Sequence, residues 1–114
     1  MDSPVNVGVS PDNILINGQS AANTVGLIPK AQVSNVRELA FYVHFGTGTS
    51  AGQVVVECAH SIDFTGTWAN LATVNWAAAN RVHNVAITGV HLAVRVRIST
   101  EITGGTVTVY GIGN

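Results

Sequence analysis

Charge is scarce in this chain of 114 residues. Lys and Arg together number five, Asp and Glu six, and charged residues make up 10%, against about 25% in an ordinary soluble domain. Lys30 is the only lysine. With a formal net charge of −1, neither nucleic acid nor an anionic membrane surface has an electrostatic handle, and neither is expected as a partner. A single cysteine, Cys58, excludes an intrachain disulfide. In the run VVVECA it reads as a small buried hydrophobe, because a reactive thiol needs a basic or helix-terminal setting. Aromatic residues, at 6%, are thin for a lectin-like platform. No stretch approaches the roughly 18 apolar residues that span a membrane. The opening MDSPVNVGVS lacks the basic and hydrophobic segments of a secretory signal, so folding in a reducing cytosol is expected. No helix-period segment competes with the strand patterns described next.

What the chain does have is a two-residue beat. Residues 90–109 read VHLAVRVRISTEITGGTVTV. Val90, Leu92, Val94, Val96 and Ile98 fall on one side of an extended chain, and His91, Ala93, Arg95, Arg97 and Ser99 on the other. After Gly104-Gly105 the beat resumes, with Val107 and Val109 opposed to Thr106, Thr108 and Tyr110. Leu39, Phe41, Val43 and Phe45 alternate in the same way, followed by the loop GTGTSAG. Further strands are expected over 53–60, 67–74, 82–87, 90–100 and 106–112, with Trp68 near the core. The segment WAAAN (76–80) admits a helical turn, too short to be stable alone. The apolar content of 46% suits one domain that hides roughly 65% of its unfolded surface.

The first 35 residues differ in texture. All three prolines, Pro4, Pro11 and Pro29, lie there and exclude a long helix. Val5, Val7 and Val9 alternate, and Ile14, Leu15 and Ile16 end at Asn17-Gly18, a good two-residue hairpin turn. Residues 1–35 therefore read as an extended arm or short edge strands, and 36–114 as the main domain. Turn signals every 8–12 residues predict about six to nine strands in an all-β, antiparallel sandwich of jelly-roll-like form. Free-standing β-proteins guard their edges with lysine, proline or inward charge. Here Thr, Ser, Asn, Gln and Gly cover the wetted faces, so the edges are protected either by twist and bulges or by neighbouring subunits.

Candidate chemistry is sparse. His44 and His60, near the ends of consecutive predicted strands, could meet across a ladder, and His83 and His91 flank Thr88-Gly89. A zinc site needs three or four ligands at about 2.0–2.3 Å, and no compact Cys/His spacing supplies them. Nothing gathers a nucleophile, base and orienting acid. Asp63, the near neighbour of Glu57, is better placed as a turn residue than as half of a carboxylate pair. Gly46-Thr47-Gly48 lacks the following helix of a phosphate loop. The expectation is a non-enzyme without metal or cofactor. Trp76, in a predicted loop, is the best candidate for a ligand-facing aromatic, with Tyr42 and Tyr110 also available. Arg95 and Arg97 share a face that is either solvated, with weak exposed pairs to Glu57 or Glu101, or a polar contact surface for protein.

From Gln53 onward, QVVVECAHSIDFTGTWANLATV and GVHLAVRVRISTEITGGTVTVYGI resemble small β-sandwich structural proteins of tailed bacteriophages. The shared elements are a VxVE strand, a short acidic turn, a TW…L strand, an AVRVRIS strand, a Gly-Gly turn and TVTV. The resemblance spans about half the chain and implies a virion structural protein, first a capsid decoration or cement protein on the capsid surface. It would be made in the host cytoplasm and would contact the major capsid protein and copies of itself. The candidate protein-contact residues are Val5, Val7, Val9, Ile14, Leu15 and Ile16 of the arm, which would add strands or apolar contacts to a neighbour, and Arg95 and Arg97. A carbohydrate- or receptor-binding module and a tail or baseplate subunit are the alternatives.

Overall fold

The computed structural model describes residues 14–28, 38–61, 63–78, 81–88 and 93–113. Val5, Val7, Val9, Val90, His91 and Leu92 lie outside them. The described residues form eight strands: β1 (Ile14–Gln19), β2 (Val25–Leu27), β3 (Glu38–Phe45), β4 (Ala51–Ala59), β5 (Ala69–Asn75), β6 (Val82–Thr88), β7 (Ala93–Thr103) and β8 (Val107–Gly113). They make two antiparallel sheets, one ordered β1-β8-β3-β6 and the other β2-β7-β4-β5. The pairs are nested, β1 with β8, β2 with β7, β3 with β6 and β4 with β5. They are those of one long hairpin rolled on itself, the jelly-roll form of the β-sandwich. β1 and β2 are edge strands, one in each sheet.

The two-residue beat sorts side chains between an inner and an outer face. Val94, Val96 and Ile98 of β7 are fully buried, as are Val54 and Val56 of β4, Phe41 and Val43 of β3 and Val107 and Val109 of β8. With Ile16, Leu39 and Ile102 they form one core between the sheets. Each large aliphatic side chain so buried stabilises by about 1.5–3 kcal/mol. The beat slips between Ile98 and Ile102. There two irregularities in the β4–β7 register, between Ala51 and Gln53 and between Gln53 and Val54, leave Thr100 exposed and return Ile102 to the core.

At one end of the sandwich the 46–50 loop meets the 104–105 turn. Gly48 and Gly104 both have positive φ, 91° and 83°. A β-carbon on Gly48 would stand 2.8 Å from the Gly104 carbonyl oxygen, and one on Gly104 would collide with the Gly48 oxygen. Two glycines are needed because the two turns touch through their backbones.

Three local expectations change. Asn17-Gly18 is not a hairpin turn. β1 runs through it to Gln19, with Gly18 at φ 61° and shifts in register against β8, and the chain turns afterwards, at Asn23 (φ 69°). Asn23 and Thr24 are held by backbone bonds to both sides of Ile98, 2.7 and 2.9 Å, which fixes the turn farther along. Residues 76–78 form no helix. His44 and His60 do not meet across a ladder, because β3 and β4 belong to different sheets.

Candidate functional site

The outer face of the β2-β7-β4-β5 sheet holds the sheet's charges. Opposite residues put Glu57 beside Arg95, and Val55 beside Arg97. Arg97 donates from Nε to Glu57 Oε1 (3.1 Å) and from Nη2 to Oε2 (3.0 Å), while Arg95 Nε donates to Oε1 at 2.9 Å. Arg97 also donates from Nη1 to Asn23 Oδ1. Glu57 is only 5% exposed. Beside it the Trp68 ring lies with its centroid 4.1 Å from the Arg95 guanidinium carbon, a cation–π contact. The indole N–H donates to the Phe64 carbonyl at 3.0 Å. Trp68 is thus buried, but outside the main core cluster. Below this group, Ser99 donates to Gln53 Oε1 and Gln53 donates to Asn75 Oδ1, both 2.7 Å.

These contacts set the protonation of the cluster. Burial alone would raise the Glu57 carboxyl. The hydrogen bonds and charges of Arg97 and Arg95 outweigh it and hold the group below the ordinary glutamate value. The same hydrogen bond raises Arg97. Arg95 and Arg97 make the pairs with Glu57 that the sequence offered, but the carboxylate is buried rather than exposed. Alternation gives the direction of a side chain and not how far it is covered, so the burial was not legible.

The outer face of the β1-β8-β3-β6 sheet is of another kind. Tyr42 lies opposite Tyr110, and His44 opposite Thr108 and Val82. The His44 and Tyr110 rings meet edge to face at 5.3 Å. All three rings are half-buried, Val82 is 53% exposed, and Asn84, Ala86 and Thr88 are exposed. Among the described residues of this sheet, Glu38 at the start of β3 is the one that carries a carboxylate, and none is lysine or arginine. Among the described residues no hydrogen bond is made by either tyrosine hydroxyl. Strand alternation placed Tyr42, His44 and Tyr110 on one side of their strands, but only the pairing of β3 with β8 brings them together.

Trp76 does not present its ring outward. It packs against the core as a half-buried residue, held at the end of β5 by a backbone bond to Gly52 (3.0 Å). Among the described residues its Nε1 is buried without a hydrogen-bond partner, as is Nε2 of His83, whose ring meets Phe45 edge to face at 5.8 Å. Ile16 is buried in the core. Leu15 packs against the core and over Gly26, where any β-carbon would collide with the Leu15 backbone. Ile14 stands half-buried opposite Tyr110. Cys58 is half-buried against the core. No group of three His, Cys, Asp or Glu side chains is gathered among the described residues.

No family model matches the sequence. No curated protein matches it. Among solved structures, it is similar to a chain from Bacillus endospore appendages, described as a novel family of disulfide-linked pili. The TM-score is 0.47 and the identity 18%, over 85% of this chain and 80% of that one.

Proposed function

We propose that this chain is a non-enzymatic structural subunit of a virion, a capsid decoration protein that docks on the major capsid protein through the outer face of its β1-β8-β3-β6 sheet. The observation that carries this reading is the unequal use of the two faces. One consumes its arginines internally around Glu57, while the other offers Tyr42, His44, Tyr110 and an exposed Val82, with Glu38 at the start of β3 the sheet's one acidic or basic residue among those described. Tyrosine-rich, charge-poor surface is the composition of an interface centre. The jelly roll is a scaffold used in capsid and lectin domains alike, so the argument rests on the face rather than on the fold. Docking by many copies would stabilise the assembled shell by mass action.

The test is co-sedimentation of purified chain with bare shells. Tyr42→Glu combined with Tyr110→Glu should abolish binding, and Thr73→Glu, on the opposite outer face, should leave it intact. Undiminished binding by the double variant would overturn the reading. The aromatic pair also favours a second reading, stacking on a sugar ring. In that case a glycan array shows binding that the double variant loses, while shells are ignored.

A further inference from the structure

The four edge strands of the sandwich are not equally protected. β2 has three residues. β1 is broken twice in its register with β8 and carries Gly18 at positive φ. β5 has a bulge where Val56 and Glu57 face Ala72 and Asn70. Shortness and bulges are devices that prevent one sheet edge from adding to another. β6 has neither. Its seven residues, VHNVAIT, pair with β3 without a break from Glu38–Thr88 to His44–Val82, and they include no charge and no proline.

The ladder also shows which backbone groups β6 has to offer. Phe45 N donates to Arg81 O at 2.9 Å. Bonded pairs alternate in an antiparallel ladder, so His83, Val85 and Ile87 turn their N–H and C=O groups toward β3. Val82, Asn84 and Ala86 turn theirs toward the edge that no described strand pairs with, and their side chains are exposed.

We infer that β6 pairs with β6 of a second copy of this chain, antiparallel about Val85, joining two four-stranded sheets into one of eight strands. That register centres the ladder on the strand: Val85 with Val85, Asn84 with Ala86 and His83 with Ile87. Asn84 faces Ala86 as a hydrogen-bonded pair, matching the edge groups that β3 leaves over. Like faces stay together because the register keeps inward residues opposite inward residues. No like charges oppose each other, and Arg81 falls outside the ladder. Both Tyr42–Tyr110 faces then lie on the same side of the joined sheet. The inference stands on the edge alone and is tested in free solution, so its failure leaves the docking proposal untouched.

The test is light scattering with size-exclusion chromatography over a concentration series of the full chain. The wild type should be a dimer that dissociates on dilution. Asn84→Lys with Ala86→Lys sets lysines against each other twice across the two-fold axis and should weaken the dimer at least about tenfold. Asn84→Glu with Ala86→Lys sets Glu against Lys twice and should restore it. Ala86→Pro removes only an edge N–H, is tolerated on an edge strand, and should give a folded monomer. A monomeric wild type at all concentrations, or a dimer that both the double lysine and proline variants keep, would overturn the inference.

Discussion

On one outer face of this sandwich Glu57 draws Arg95 and Arg97 onto itself and Trp68 closes over them. On the other, Tyr42, His44 and Tyr110 lie across neighbouring strands, half-buried, with no such cluster among the described residues. Both faces come from the same two-residue alternation. They differ in what the outward positions hold: a carboxylate between two arginines with Trp68 against one of them, as opposed to aromatic rings. The difference separates two uses of outer surface: the Glu57 face is committed to the protein's own contacts, and the tyrosine face is the one proposed to dock.

The comparison can be broken most forcefully at Glu57. Removing one partner of a fully buried ion pair costs about 3–5 kcal/mol, and an exposed pair about 0–1 kcal/mol. Glu57 is buried, but the side chains of Arg95 and Arg97 are 23% and 27% exposed. Glu57→Ala should therefore cost about 2–3 kcal/mol in urea unfolding. Acid should reproduce this effect gradually. The carboxyl is lowered in the folded chain, so its contribution is complete above the ordinary glutamate value of about 4.3 and is lost as pH falls through the folded value. The stability gap between wild type and Glu57→Gln should be constant above about pH 5 and shrink toward pH 3. A gap that stayed constant down to pH 3 would contradict the assignment.

Smaller changes sharpen the contrast. Arg95→Lys keeps the charge but loses the flat guanidinium over Trp68, and should cost about 1 kcal/mol by the same unfolding measurement. On the opposite face, Tyr42→Ala and Tyr110→Ala should each cost under about 1 kcal/mol, as half-buried outward residues do, while weakening attachment to shells. If the tyrosines proved as costly to folding as Glu57, the division of roles would fail.

Much of the fold was legible because the beat needs only local information. Val94, Val96 and Ile98, placed on one face by alternation, are fully buried, and the Gly-Gly turn at 104–105 follows β7 as expected. What escaped was set by distant parts of the chain. Whether Arg95 is wetted or covered depends on a loop ending at Trp68, 27 residues earlier. The two tryptophans are alike in sequence, yet Trp68 covers an outer face and Trp76 fills in against the core. Asn17-Gly18 carries a turn signal that pairing with β8 overrides. The tyrosine cluster was the least visible, because Tyr42 and Tyr110 are separated by most of the domain and meet only when β3 and β8 become neighbours.

Cryo-electron microscopy of the native particle would test the division of faces most directly, by showing which sheet lies against the shell. The account predicts Tyr42, His44 and Tyr110 at the contact and the Glu57–Arg95–Arg97 face turned away from it. A subunit docked through the arginine face, or one assembled into a tail tube or baseplate, would contradict it.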